Sequence, residues 1–425
     1  MISRIPRSLQ TFNGKFMPLF SAYTQQHHYS TSVISNITSP HATTSTSIPV
    51  PPQSTTEIEP THTATTTLLD KNLDLLAKIN ETQNVINKKP KREPIKLNGT
   101  LLSNHIIGSI KKDVEEFKAN SGVVPQLVVI YVGDNKQIES FIKMKKRASE
   151  SVGFKFTLDK YDSSITEEQL IKQIQYHSED PSVHGIIVQL PLPEHLENHK
   201  IIQSIDPKKD VDGLNSINLG QIFLSKKPLF IPCTPLGILE LFKAYNIKAE
   251  GKNVVVLGRS NLVGRTIATL LSQKDMTNPC IMGGASVTLL HKYSTDIDQH
   301  LKQADIIISA TGVGGLIKKE NVKKGVILID VGISHQIDPT KKSGYKLTGD
   351  VDPETYSRSI AYTPVPGGVG PLTVAMLLRN TLKSAILHYK IQTNRMNRQF
   401  NEKLQQKQLE MNIKKRNSKK VESKE

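Results

Sequence analysis

The sequence predicts an α/β protein of more than one domain, each built on a mostly parallel sheet. Three observations carry this. From about Ile95, short apolar runs alternate with stretches of helical periodicity, the pattern that layers helices on parallel strands. Near Lys252 a strand, a glycine turn and a helix begin the alternation afresh. A length of 425 residues is enough for two or three domains.

Leu101, Leu102, Ile106, Ile110, Val114 and Phe117 recur at helical spacing and predict an amphipathic helix. Gln126–Val132 reads as a buried strand. The turn Gly133-Asp134-Asn135 follows, then a helix to about Val152. Phe154–Leu158 is a short strand, Glu167–His177 a helix and Val183–Leu190 a strand that ends in Pro-Leu-Pro. Pro232-Cys233-Thr234-Pro235 opens a helix to about Tyr245. In the second unit, Lys252–Leu257 is a strand and the turn from Gly258 to Gly264 leads into a helix ending near Ser272. Ser286–Leu290, Ala304–Ser309 and Val326–Val331 are further strands, and Leu372–Tyr389 is a long helix. From Lys390 the chain is Gln-, Lys- and Asn-rich, which predicts a frayed helix or disorder.

Charge is concentrated at the ends. The net charge is +16, yet residues 1–96 carry 10 Lys/Arg against 6 Asp/Glu, and residues 390–425 carry 11 against 4. The middle is only mildly basic. It has no aromatic-rich basic motif, so nucleic acid is not an expected partner. No apolar run approaches the length of a membrane span, so no membrane is expected either. Cys233 and Cys280 are the two cysteines and make neither a metal spacing nor a disulfide framework. The first acidic residue is Glu57, and the stretch before it is rich in Ser and Thr and carries Arg4, Arg7 and Lys15. That composition predicts a mitochondrial transit peptide. A Ser/Thr-rich tail without an address has the same composition.

Two stretches carry chemistry on their own. A strand, a glycine turn and a helix over 252–272 is the arrangement that seats a pyrophosphate on a helix N-terminus. A plain strand-to-helix turn would use the same glycines. The next strand ends in His291-Lys292-Tyr293-Ser294, with no carboxylate. NAD-binding domains place an acid there for the ribose hydroxyl. Lys292 and Arg259 would instead attract a 2′-phosphate, which favours NADP. An ordinary surface lysine is the bland alternative for Lys292. The second stretch, Pro366-Gly367-Gly368-Val369-Gly370-Pro371, is too constrained for a linker and lets backbone approach a ligand closely.

That loop, followed by Leu372-Thr373, resembles one family, the bifunctional methylenetetrahydrofolate dehydrogenase/methenyltetrahydrofolate cyclohydrolases. Four more motifs occur in that family's order: Phe141-x-x-x-Lys145, Gln189-Leu-Pro-Leu-Pro193, Lys208 through Asp212-Gly213, and Gly258-Arg259-Ser260-x-x-Val263-Gly264. The resemblance covers about residues 95–390. It implies two α/β domains with a cleft between them. A discontinuous catalytic domain would span 95–243, completed by 364–390. A Rossmann-type NAD(P)-binding domain would span 244–363. Residues 1–94 are left as transit peptide and linker, and 391–425 as a basic polar tail. The chain is too short for an added formate-ligase domain. The family's homodimer, joined through the cofactor domain, is implied as well.

By resemblance, Lys145, Gln189 and Asp212 are catalytic: the lysine transfers protons, the glutamine tunes it and the aspartate anchors the pterin. Phe141, Pro366, Gly367 and Gly368 line the tetrahydrofolate site. Thr234, Gly258, Arg259, Ser260, Val263, Gly264, Lys292, Thr311, Ile333 and Thr373 hold NADP. No metal ligands are assigned. The implied reactions are oxidation of 5,10-methylenetetrahydrofolate and hydrolysis of the methenyl product to 10-formyltetrahydrofolate. Mitochondrial members with an insertion like Gln273–Gly284 accept NAD with magnesium and phosphate. Here Gly283-Gly284 stands where they hold an aspartate, and Asp275 is the acid left to substitute. Two further departures are Phe141 for the family's tyrosine and Ile138 for its serine. They leave open an NAD-dependent dehydrogenase with weak or lost cyclohydrolase, and a non-catalytic folate- or nucleotide-binding relative. A different two-domain Rossmann dehydrogenase would explain 252–331 but neither Gln189-Leu-Pro-Leu-Pro193 nor Val211-Asp212-Gly213. RNA binding by the lysine-rich tail is the remaining alternative.

Overall fold

A computed structural model describes residues 93–274, 283–340 and 344–422, with side chains to residue 411. The expected transit peptide, Asp275 and Cys280 lie outside the described residues. In chain order the elements are β1 (Ile95–Lys96), α1 (Gly99–Ser121), β2 (Gln126–Val132), α2 (Lys136–Ser151), β3 (Lys155–Tyr161), α3 (Glu167–Glu179), β4 (Gly185–Val188), α4 (Asn198–Gln203), α5 (Ser216–Phe223) and α6 (Cys233–Ala244). There follow β5 (Asn253–Leu257), α7 (Gly264–Ser272), β6 (Ser286–Leu290), α8 (Ile297–Gln303), β7 (Ile306–Ser309), β8 (Val326–Asp330), β9 (Ser334–Ile337), β10 (Tyr345–Thr348), β11 (Ser359–Tyr362) and α9 (Val369–Glu422).

Two parallel sheets organise the chain. The first has the order β3-β2-β4. Its central strand, β2, is buried along its whole length, as expected for a parallel strand covered on both faces. Val128, Ile130, Ile186 and Val188 pack there against Leu170, Ile174 and Ile201 from α3 and α4. Helices α1 and α6 pack on α9, which also touches β2 and β4. The second sheet is six-stranded, in the order β1-β11-β8-β7-β5-β6, with every pairing parallel. Its strand order reverses beside β5, and such a switch point opens a crevice at the strands' C-terminal ends.

Helix ends follow the sequence closely. Asn98 caps α1, Asn135 caps α2, and Thr166 with Gln169 forms a capping box on α3. Gly122, in the left-handed region at φ 71°, ends α1. β4 is shorter than the expected Val183–Leu190. The Gln189 N–H still donates to the Ile130 carbonyl at 2.8 Å, but the chain then turns away at Leu190–Pro191, a cis peptide bond. β1 joins the six-stranded sheet, so the start of the expected catalytic segment adds a strand to the other sheet. The largest difference is α9. It passes Lys390 without a break and continues to Glu422. No glycine or proline follows Pro371, and Gln, Lys, Arg and Glu are good helix formers. No helix of the described residues is long and apolar enough to cross a membrane.

Candidate active site

Lys145 projects from α2 toward the end of β4. Its ammonium donates to Gln189 Oε1 at 2.8 Å. The other side of the Gln189 amide donates to the Leu190 carbonyl at 2.9 Å, which fixes the amide's orientation toward the lysine. Asp212 sits on a turn that only glycine can complete. Gly213 has φ 73°, and a Cβ there would lie 2.8 Å from the Pro232 nitrogen. Asn380 of α9 braces this turn by donating to the carbonyls of Val211 (2.9 Å) and Ile231 (3.2 Å).

Charge in this corner is tightly coupled. Burial pulls the Lys145 ammonium below the usual lysine value, and the Asp212 carboxylate opposes that pull. Burial pushes the Cys233 thiol well up, with Asp212 adding to the push. Cys233 is therefore a neutral wall of the site. Asp210, also buried, is pushed up to about 6 by desolvation, against the hydrogen bonds it accepts from Asn215 and Asn218. A lysine that can lose its proton more easily, held by a neutral acceptor, can act in general acid–base chemistry. Phe141 lies half-buried one helical turn before Lys145, and Ile138 is half-buried on the same helix.

The glycine loop is locked to the first turn of α1. The Thr100 N–H donates to the Gly367 carbonyl at 3.0 Å, and Ser103 Oγ donates to the Pro371 carbonyl at 2.9 Å. A Cβ on Gly99 would stand 1.8 Å from the Gly368 oxygen, and one on Gly368 would stand 2.6 Å from the Pro364 oxygen. Backbone therefore meets backbone at Gly367 and Gly368, directly after Pro366. Thr373, on the first turn of α9, shares a hydrogen bond with Thr234 of α6 at 3.1 Å. Cys233 and Thr234 are adjacent, so α6 joins the Lys145 corner to the glycine-loop side.

The dinucleotide half sits at the switch point. Gly258 follows β5 with φ 100°, and a Cβ on it would lie 2.4 Å from the Ala310 oxygen. A Cβ on Gly264 would lie 1.8 Å from the Gly258 oxygen. The loop is thus a closed cradle in front of α7. Ser260 Oγ accepts from the Val263 N–H at 3.3 Å, and α7 has no side-chain cap. Such a cradle and an uncapped helix start suit a pyrophosphate. Arg259 and Lys292 approach one exposed ring, Tyr293. The guanidinium lies 6.0 Å and the ammonium 4.8 Å from its centroid. These donors fit the 2′-phosphate and adenine end of NADP. Thr311 follows β7, and Ile333, partly exposed, follows β8.

The structure therefore gathers the expected residues into two clusters. Lys145, Gln189 and Asp212 form one with Phe141 alongside. Gly258, Arg259, Ser260, Val263, Gly264 and Lys292 form the other, with Thr311 and Ile333 further along the same sheet edge. Sequence reasoning missed Gly99, Thr100, Cys233 and Tyr293. An aromatic next to Lys292 in the turn after β6 was a readable signal for Tyr293. Nothing local marks Gly99 or Thr100, because their partners, Gly368 and Gly367, lie at the far end of the chain, 267 residues away for Thr100.

Known proteins resemble this chain. Residues 97–212 match the family described as tetrahydrofolate dehydrogenase/cyclohydrolase, catalytic domain. Residues 232–389 match the same family's NAD(P)-binding domain. The chain is 43% identical over 290 residues to a bifunctional protein FolD of Prosthecochloris aestuarii, covering 68% of this chain and 97% of that one. It is 42% identical over 293 residues to the chloroplastic bifunctional protein FolD 4 of Arabidopsis thaliana, covering 68% and 79%. Among solved structures, the Trypanosoma brucei methylenetetrahydrofolate dehydrogenase-cyclohydrolase complexed with NADP and an inhibitor superposes with a TM-score of 0.66. It shares 33% identity and covers 71% of this chain and 99% of that one.

Proposed function

The chain belongs to the tetrahydrofolate dehydrogenase/cyclohydrolase family, and on that premise we propose how its residues divide the work. It oxidises 5,10-methylenetetrahydrofolate to the 5,10-methenyl compound with NADP, then hydrolyses that product to 10-formyltetrahydrofolate. Gly258 and Gly264 admit the pyrophosphate, while Arg259 and Lys292 take the 2′-phosphate. NADP, when bound, supplies the hydride acceptor. The protein's part in that step is positioning. Asp212 accepts N–H groups of the pterin, Phe141 stacks on the folate rings, and the Pro366–Gly368 backbone closes over them.

Hydrolysis needs protons moved. Water adds to the methenyl carbon, and a carbon–nitrogen bond then breaks with a proton delivered to the leaving nitrogen. Lys145, with its lowered affinity for a proton, takes the water's proton and returns one to the nitrogen. The bond from Lys145 to Gln189 Oε1 is the observation that carries this reading. To test it, the protein is incubated with methylenetetrahydrofolate and NADP while methenyl absorbance and NADPH are followed together. NADPH in excess of methenyl by more than the spontaneous-hydrolysis control accounts for shows both activities. An excess no greater than that control refutes the cyclohydrolase. No NADPH refutes the dehydrogenase.

The domain limits we propose are 95–243 with 364–390 and 244–363, with β1 of the first segment contributing a strand to the second sheet. A mitochondrial location is supported by the acid-free, basic and hydroxylated composition before Glu57. Import of a reporter carrying residues 1–94 into isolated mitochondria tests it. A homodimer follows from the resemblance alone, and sedimentation equilibrium decides it.

A further inference from the structure

Asp330 ends β8 and Asp350 follows β10, and both are buried almost completely, at 1% and 0% exposure. Asp350 Oδ2 accepts three hydrogen bonds, from Ser309 Oγ (2.7 Å), the Thr311 N–H (2.7 Å) and Thr311 Oγ1 (2.8 Å). Asp330 Oδ1 accepts from the Gly332 N–H and the Asp350 N–H, each at 3.0 Å. Asp330 Oδ2 accepts from the Val351 N–H at 2.8 Å. The two segments are reciprocal. A Cβ on Gly332 would lie 1.9 Å from Asp350 Oδ1, and a Cβ on Gly349 would lie 2.0 Å from Asp330 Oδ2. Each carboxylate fills the space that a missing side chain leaves on the other segment.

We propose that this buried carboxylate pair positions the two loops that face NADP, Asp350 fixing Thr311 and Asp330 fixing the turn that presents Ile333. The inference rests on the NADP reading of this sheet edge. Stability alone is a poor reason for such a pair. Two like charges out of water are costly, and Asp350 Oδ1 has no hydrogen-bond partner. Burial pushes Asp330 up to about 7, with the Asp350 charge adding to the push. The gain lies in geometry. Thr311 is held through both its backbone and its hydroxyl, and the Gly332 N–H anchors the residue next to Ile333. Backbone pairing along the sheet cannot do this, because both loops begin where the strands end. Asp330 and Asp350 are positioning residues and touch neither substrate nor cofactor in this account.

The test uses Asp350→Ala and Asp350→Asn in the full chain. Dehydrogenase KM for NADP and kcat are read beside the cyclohydrolase rate on methenyltetrahydrofolate, which consumes no NADP. Asp350→Ala is expected to raise KM for NADP about tenfold while the cyclohydrolase rate stays within about twofold. Asp350→Asn keeps a carbonyl for the same donors and is expected to recover most of the loss. Equal loss of both activities in Asp350→Ala without recovery in Asp350→Asn would show a packing role and overturn the proposal, as would an unchanged KM. If Asp350→Ala does not fold, Thr311→Val removes one of the three bonds, and a KM for NADP equal to wild type overturns the proposal. A wild-type chain that reduces no NADP removes the NADP reading and this inference with it. That result is seen before any variant is made.

Discussion

Lys145 is useful because its surroundings disagree about its charge. Burial favours the neutral amine, while Asp212 favours the ammonium. The ionisation that governs cyclohydrolase activity should therefore fall below the ordinary lysine value, and Lys145→Met should abolish that limb and lower the rate by about 10²-fold or more. A pH–rate profile of both proteins checks this. Gln189 accepts from the ammonium and so favours the charged form. Gln189→Leu should shift the same limb to lower pH. The neighbouring Phe141 offers a gain instead. Phe141→Tyr restores a phenol facing the folate, and one recovered hydrogen bond of about 0.5–1.5 kcal/mol should raise kcat/KM severalfold. Initial rates at low folate measure it. The positions of Lys145, Gln189 and Asp212 were legible in the sequence because each stands in a compact motif. The Asp330–Asp350 pair was not legible, since only the fold brings its partners together.

At the scale of single elements, α9 divides into two parts. Up to about Tyr389 it is packed, and Asn380 is one of its buried anchors. Every described side chain from Asn394 to Met411 is exposed. Deleting residues 395–425 should therefore change unfolding free energy by no more than about 0.5 kcal/mol. Asn380→Ala, which removes the amide donor from the buried Val211 and Ile231 carbonyls and leaves Val211 only the Cys233 thiol, should cost about 1–3 kcal/mol. Urea titrations of the two variants separate these outcomes. Strongly patterned elements were readable at nearly their observed limits: β2 from its apolar run, and α3, expected over Glu167–His177 and observed over Glu167–Glu179. The β9–β10 hairpin was not. Its strands, Ser334–Ile337 and Tyr345–Thr348, are half-exposed and four residues long each, too short for a pattern to stand out. β1 has two residues, too few for any pattern, and exists because β11 offers an edge.

For the whole molecule, buried acids and buried histidines pull stability in opposite directions with pH. Asp210 and Asp330 are raised to about 6 and about 7, so their contribution is complete below the unfolded carboxylate value and is lost as pH rises through those values. His184 is lowered to about 4 by burial, then by His388 and Lys209. Its contribution is present above the unfolded histidine value of 6.5 and is lost as pH falls toward 4. His184 offsets part of the fall from the two acids over that interval, and the remaining fall due to Asp330 should continue between about pH 6.5 and 7.5. Denaturant midpoints across this range should decline in the wild type and decline less in Asp330→Asn. The pairing of β1 with β11, and of Thr100 with Gly367 across 267 residues, also has a consequence for biogenesis. A ribosome delivers Thr100 long before Gly367, so the glycine loop cannot be seated on α1 until synthesis is nearly over. A nascent chain therefore stays without this closure until α9 begins to emerge.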